Sequence, residues 1–549
     1  MTTTPAETVR PRSEREIAAR GSAGGAVTRH FARRVRRGAL LVGLAAAGMS
    51  AVVAGQYQAT FAGELNGAAL RALAENPAIR ILFGPPVALD DPGGFTVWRT
   101  GTPVQILAGV WALLTATRLT RGEEDAGRAD LLLAGRLRAV DQLRRVLVVL
   151  GAAAAAIAAA VALALLVTGT RPEGALIHAA GLFGVTMTFA AAGVLAAQLV
   201  PARSTATGLA VAALGGGLAL RMIADGVGAL SWASWGTPFG LTALTAPYAD
   251  DRIAPLLVLA VFPVLLSAAA TLACSRRDVG RGVLNPSSGR RRPRIRLLGS
   301  VTGFAVRRAM RPTAAWSLAI GAYFLLVGVL IGSILRFLRE NPRFAELASA
   351  AGFGGLGTAE GFAAAMFSLL TIPVGLYAAT RIAAFAAAET DRRLTPLLAL
   401  PLSRHRIVLT ELLVTGLGVL GLLAAAGSMI WCGAAIVSAP LSITAAFAGA
   451  ANVAPVALLS LGAAALALGW APRAVAAVGA LPVAGGFLFT VILRSTDAPE
   501  WLTYFSPYSH LAAVPEVPPD RFATVLLLLV AGALAALGVL GHHRRDLSG

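Results

Sequence analysis

Apolar runs of about 18 to 30 residues alternate with short polar stretches along nearly the whole chain, and most have no polar face to turn toward water. As helices, rising 1.5 Å per residue, each can cross a hydrocarbon layer about 30 Å thick. The pattern predicts spans at about 38–61, 101–118, 146–168, 175–199, 205–229 and 253–274, then at about 313–335, 361–387, 407–436, 439–468, 473–494 and 522–541. Pro440 is the main divider between the third and fourth spans of the second set. The expected fold is an all-α polytopic membrane protein whose 12 transmembrane helices form two six-helix halves.

The halves are copies. E-D-A-G-R-A-D-L-L-L-A (Glu124 to Ala134) is matched in the second half by E-T-D-R-R-L-T-P-L-L-A (Glu389 to Ala399), and L-R-A-L-A-E-N-P (Leu70 to Pro77) by L-R-F-L-R-E-N-P (Leu335 to Pro342) at the same offset. Two gap-free matches at one offset mark an internal duplication. A third, looser echo links V-T-R-H-F-A-R-R with V-T-G-F-A-V-R-R, placing Arg33-Arg34 and Arg307-Arg308 ahead of the first span of each half. That spacing suits helices lying in the interface with guanidinium groups on lipid phosphates.

Composition agrees with a bilayer protein: 56% of the 549 residues are hydrophobic and 14% are charged. All 47 basic residues are arginine, so the lysine of a phosphate-binding P-loop is missing and any nucleotide hydrolysis belongs to a partner. The arginine asymmetry of the loops predicts both termini in the cytoplasm, for a multi-pass protein of the plasma (inner) membrane. The expected segments are 1–37, a basic cytoplasmic lead with the first interfacial helix; 38–274, the first half; 275–312, a basic linker with the second interfacial helix; 313–541, the second half; and 542–549, a tail. Cys274 and Cys432 lack metal or disulfide spacing and read as packing residues. No catalytic or metal-binding constellation is evident, and nucleic acid is not an expected partner.

The repeated motif has its own local logic. Glu124 and Arg128, like Glu389 and Arg393, stand at i and i+4 in the order that favours a helical ion pair. Asp130 and Thr395 then read as N-caps of a new short helix, Thr395 with Pro396 behind it, and Ser403 as the cap of the following span. The leucines that follow have nothing nearby to bury them and suit docking into a partner's groove. Among the spans, Arg221 and Asp225 stand out as charges four apart on one helix face, read either as a pair that fixes packing or as a contact for a charged substrate. His178, Gln198, Glu411 and Asn452 read as interhelical hydrogen-bonding residues. At the last loop of each half, Asp251-Arg252 and Asp520-Arg521 read as ion pairs at a helix mouth, with Trp235 and Trp501 nearby.

E-x-x-x-R followed by L-L-A-L-P-L-S-R (Leu397 to Arg404), after the second helix of a six-helix unit, resembles the permeases of ABC-2 type transporters. The fused twelve-helix form with an E-N-P loop is similar to actinobacterial permeases described as exporters of polyketide antibiotics. The resemblance implies a separate ABC ATPase subunit in two copies, with ATP and Mg bound there and no cofactor on this chain. By position it implies coupling elements at Glu124, Arg128, Leu132 and Leu133, and at Glu389, Arg393, Leu397, Leu398 and Pro401. The first half departs from the family's pattern, with Gly135-Arg136-Leu137-Arg138 in place of P-x-S-R. The implied activity is ATP-driven export of lipophilic, antibiotic-like molecules, with no ATPase site on this chain. The competing expectation is a proton-coupled secondary multidrug transporter, which also has twelve helices in two sixes.

Overall fold

The computed structural model describes residues 12–58, 84–135, 137–226, 228–284, 297–340, 354–398, 401, 403–495 and 499–545. The copy of the duplicated loop motif at 70–77, the Asn341-Pro342 end of its partner and the linker at 285–296 lie outside those residues. The chain divides into two compact units, Met1–Arg290 and Arg291–Gly549. Among the described residues the secondary structure is helical and contains no strand.

In unit 1 the helices are α1 (Arg12–Gln56), α2 (Pro92–Leu119), α3 (Arg121–Asp125), α4 (Arg128–Leu133), α5 (Ala139–Val167), α6 (Pro172–Leu199), α7 (Arg203–Gly226), α8 (Pro238–Leu244) and α9 (Ala254–Ser275). In unit 2 they are α10 (Val301–Glu340), α11 (Ala359–Thr390), α12 (Thr395–Leu398), α13 (Arg404–Ile436), α14 (Ile443–Asn452), α15 (Ala454–Trp470), α16 (Val475–Ala480), α17 (Gly486–Ser495), α18 (Glu500–Thr503) and α19 (Arg521–Arg544). Helices α5 and α13 begin at matched positions of the repeat, Ala139 and Arg404, as the duplication requires.

Eleven helical stretches among the described residues are long and apolar enough to span a membrane, one fewer than the twelve expected from the sequence. The difference is α2. It is 28 residues long, but Arg99, Thr100, Thr102 and Gln105 dilute its apolar character, and it starts at Pro92, ahead of the expected 101. Its start is fixed by Asp91, whose carboxylate accepts from the Gly93 and Gly94 amides at 2.8 and 3.2 Å, with Pro92 in the first turn.

The two expected interfacial helices are not separate elements. α1 runs unbroken for 45 residues and α10 for 40, the latter through Pro312, so each amphipathic lead is the first part of a spanning helix. In unit 2 the span expected at 439–468 divides at Val453 into α14 and α15, with Pro455 in the first turn of α15. The next is interrupted by a π-helical turn over Leu481–Gly485, which contains Pro482. Apolar side chains remain exposed along the helices, among them Leu40, Leu41 and Leu44 of α1 and Val525 and Leu529 of α19, as a lipid-facing surface requires.

Candidate functional site

The repeated motif forms an elbow in each unit, built to the same plan. In unit 1 the chain leaves α2, makes the single turn α3, passes through Gly127 in the left-handed region (φ 67°) and enters α4. In unit 2 it leaves α11, passes through Arg392 (φ 58°) and enters α12. Gly127 and Arg392 occupy the same place in the repeat, and their amides donate to the carbonyls of Glu124 and Glu389 at 2.9 and 3.0 Å. One left-handed residue ends the first helix and reverses the backbone.

This reversal overturns the expected ion pairs. Glu124 and Arg128 lie on different helices, so Arg128 reaches Glu123 instead, at 2.9 and 3.0 Å. Arg393 likewise pairs with Asp391, at 3.2 Å, and not with Glu389. The caps shift for the same reason. Gly127 occupies the N-cap of α4, which puts Asp130 inside the first turn. Thr395 is itself within α12, and its hydroxyl donates to the Arg392 carbonyl at 2.8 Å. Ser403 does stand at the N-cap of α13, though its hydroxyl makes no capping hydrogen bond there.

The two motif glutamates face inward, each to the end of the last span of its own unit. Glu124 accepts from Arg121 (2.5 Å), from the Gly280 amide (3.1 Å) and from both terminal nitrogens of Arg277, just beyond α9. Glu389 meets His542 Nε2 at 3.1 Å and accepts from Arg545, at the end of α19. Arg277 and His542 are themselves matched positions of the repeat, so the contact is duplicated along with the motif.

The same cations also reach the carbonyl ends of the preceding spans. Arg121 donates to the Val200 carbonyl at 2.6 Å, Arg277 to Gln198 Oε1 at 2.8 Å, and Arg545 to the Leu468 carbonyl at 2.9 Å. Positive charge at a helix C-terminus is favourable, because unpaired carbonyls point there. Each glutamate thus locks three elements together: the elbow, the C-terminal end of α6 or α15, and the end of α9 or α19.

A second buried glutamate in each unit answers the arginine pair ahead of the first span. Arg34 binds Glu123 at 2.7 Å; Arg308 approaches Glu411 at 3.8 Å and lies over the Phe304 and Phe385 rings. The expectation that both arginines of each pair face lipid phosphates fails for Arg34 and Arg308, which turn to buried glutamates, while Arg33 and Arg307 are exposed. Burial opposes the charge on Glu123, but the hydrogen bond from Arg128 and the nearby Arg34 outweigh it and hold its carboxyl below the usual carboxylate range.

The elbow leucines are mostly tucked in. Leu132 and Leu397 are half-buried against the cores of their own units, Leu133 is half-buried, and Leu398 lies in α12. Ala129 and Leu394, matched in the repeat, are 2% and 4% exposed and anchor the elbow from beneath. The outward surface is formed by Leu131 at 78% exposure, with Arg128, Asp130, Arg393 and Pro401. Leu131 carries no distinguishing signal in the sequence beyond its place in a run of three leucines.

Charges inside the spans are more numerous than expected. Arg221 and Asp225 pair at 2.7 Å, nearly buried, and Arg221 also donates to Thr102 at 2.5 Å. A second buried pair joins Arg381 of α11 to Glu411 of α13 at 2.5 Å, so Glu411 is an ion-pair partner and not a neutral hydrogen-bonding residue. Asn452 donates to the Ala512 carbonyl at 2.9 Å. The expected Asp251–Arg252 and Asp520–Arg521 mouth pairs give way to other roles. Arg252 pairs with Asp250, Asp251 accepts from the Tyr248 amide, and Asp520 caps α19.

Exposed apolar helix faces, eleven apolar spans among the described residues and a duplicated sequence motif define a multi-pass helical membrane protein. Residues 298–543 match the model for the C-terminal domain of the multidrug efflux system permease Rv1217c. Over 489 residues the chain is 29% identical to the multidrug efflux system permease protein Rv1217c of Mycobacterium tuberculosis (strain ATCC 25618 / H37Rv), an overlap of 87% of this chain and 86% of that protein. Both matches are to permeases of multidrug efflux systems.

Proposed function

We propose that this chain is the membrane subunit of an ATP-driven exporter that moves lipophilic, antibiotic-like small molecules out of the cell. ATP and Mg bind on a separate ABC ATPase, one copy of which engages each elbow from the cytoplasm, where both termini of the chain also lie. The lysine-free sequence supports placing hydrolysis on a partner. The similarity to a multidrug efflux permease supports export as the activity.

The observation that carries the reading is the repeated elbow, in which a glutamate just ahead of a short surface helix is bound to the end of the last span of its own unit. Force applied to the short helix passes through the adjoining turn and this ion pair into α9 or α19. Binding and force transfer fall to different residues. Leu131, Arg128 and Arg393 on the outer surface make the contact, while Glu124 and Glu389 transmit it.

The test is co-expression with the ABC ATPase subunits of the same genome, followed by co-purification and ATP hydrolysis in lipid. Leu131→Asp with Arg393→Glu should weaken co-purification. Glu124→Gln with Glu389→Gln should leave co-purification intact and abolish the stimulation of hydrolysis by transported compounds. Transport that persists without any ATPase sinks the proposal.

A further inference from the structure

On the outer surface of unit 1, α1 and α5 run side by side and leave between them an apolar groove of about 400 Å³. Small residues make the space, Gly43 on α1 and Ala152, Ala156 and Ala160 on α5. Two of the lining residues, Leu44 and Val148, are 71% and 66% exposed, so the groove is open to whatever surrounds the protein. For a pair of spanning helices that surrounding is lipid.

The charges beside the groove are all of one sign. Arg36 lines it, and Arg29, Arg33 and Arg36 follow one another at helical spacing along its α1 edge, all exposed. Arg144 stands one turn ahead of Val148 on α5. None of the four makes an ion pair among the described residues. Arg34, two residues from Arg36 and so on the opposite side of α1, is the arginine that binds Glu123. At the same end of the groove the Arg145 guanidinium crosses from α5 to α1. It donates to the Thr28 hydroxyl at 3.2 Å and lies over Gly24, where a Cβ would come within 1.9 Å of it. Its Nε is buried and has no hydrogen-bond partner among the described residues. Asp141, one turn earlier on α5, accepts from the Arg138 amide at 3.3 Å, and no acidic residue lines the groove.

Arginines without carboxylates beside an open apolar slot suit a single ligand that carries both an anionic group and a hydrocarbon chain. The lengths agree. From Arg36 to Leu44 the groove runs about 12 Å at 1.5 Å per residue, close to the depth of one leaflet, ~15 Å. We propose that the groove binds an anionic phospholipid, with the phosphate between Arg36 and Arg145 and an acyl chain over Gly43, Ala156 and Ala160. A zwitterionic lipid would bring its own cation among the same arginines and is disfavoured for that reason.

Unit 2 lacks the charges and the space together. Through the echo between α1 and α10, Arg36 corresponds to Met310. In α13, Leu409, Thr410, Leu413 and Leu417 stand where α5 has Arg144, Arg145, Val148 and Ala152. Arginines that served only to anchor a helix at the interface would not be tied to small residues on a neighbouring helix. A shared ligand ties them.

The experiment is native mass spectrometry of the full chain in detergent, titrated separately with dioleoyl phosphatidylglycerol and dioleoyl phosphatidylcholine, reading the affinity of the first bound lipid. Phosphatidylglycerol should bind the wild type at least about tenfold more tightly than phosphatidylcholine, and Arg36→Gln with Arg145→Gln should remove about that preference. Arg36→Gln alone, at an exposed position on which the fold does not depend, should weaken phosphatidylglycerol about fivefold. Ala152→Leu with Ala156→Leu fills the groove, at 152 with the residue that unit 2 carries, and should weaken phosphatidylglycerol about tenfold with every arginine in place. Arg311→Gln, at an exposed arginine of α10, should leave binding unchanged. Four outcomes overturn the proposal: equal affinity for the two lipids, unchanged phosphatidylglycerol binding in Arg36→Gln, unchanged binding in the alanine double variant, or a dimer in the spectrum that this double variant disperses, which gives the groove to a second copy of the chain.

Discussion

Arg277 and Arg128 both meet a carboxylate of the elbow, Arg277 that of Glu124 and Arg128 that of Glu123, yet they differ in what their loss should do. The Arg277 side chain is 5% exposed and binds a glutamate that is 12% exposed, so Arg277→Ala leaves a buried charge short of a partner. A loss on the order of 3 kcal/mol in stability is expected. Arg128 is 51% exposed and its buried partner Glu123 keeps Arg34 at 2.7 Å, so Arg128→Ala should cost less, about 1 kcal/mol. Thermal unfolding in one detergent compares the two, and equal losses contradict the inward role of Glu124. Glu123 supplies a pH dependence. Its pKa is held low in the folded protein, so its contribution is fully present above the usual carboxylate pKa of about 4.3 and is lost as the pH falls through its own lower value. Below about pH 4.3, the melting temperature of the wild type should therefore fall more steeply than that of Glu123→Gln. Parallel curves for the two proteins refute this.

The elbow turns on one residue in each unit, and the two copies solve the same backbone problem with different side chains. Gly127 adopts φ 67° without a Cβ, and a Cβ there meets no neighbouring atom within 4 Å, so Gly127→Ala should cost only the backbone term, about 1 kcal/mol. Arg392 carries the strained conformation with a side chain, and Arg392→Gly should be neutral or stabilising by a similar amount. Chemical denaturation of each variant gives the sign, and a stabilised Gly127→Ala sinks the account. These left-handed positions explain why the i,i+4 reading of the motif failed. Spacing implies a shared helix face only while the helix continues, and Asp-Ala-Gly-Arg and Thr-Asp-Arg-Arg share no common breaker that would reveal the turn. The cap at Asp91-Pro92 follows the same rules that place Ser403 at the start of α13, but the first turns of α2 are polar, so apolar length alone marks its start too late.

Across the whole molecule the duplication is deeper than its visible motif. A single offset relates the glutamates, their left-handed turns, the buried residues Ala129 and Leu394, and the pair Arg277 and His542. Divergence is concentrated at the opposite end of the units, where unit 1 holds Arg221, Asp225 and His178 and unit 2 holds the neutral hydroxyls of Thr371, Thr490, Ser506 and Tyr508.

The sequence by itself determined the membrane environment, the helical class, most of the spans and the repeat, because apolar length, charge placement and self-similarity are properties of the chain read in one dimension. It also singled out Glu124, Glu389 and the Arg221–Asp225 pair. Only the tertiary structure decided where those glutamates point, since Arg277 and His542 are 153 residues away from them along the chain. It alone paired Arg381 with Glu411, packed Leu132 and Leu397 against the cores of their own units, and left His178 facing a recess without a partner among the described residues. Partner choice for a buried charge depends on which helix ends meet in space, and local pattern carries no record of that.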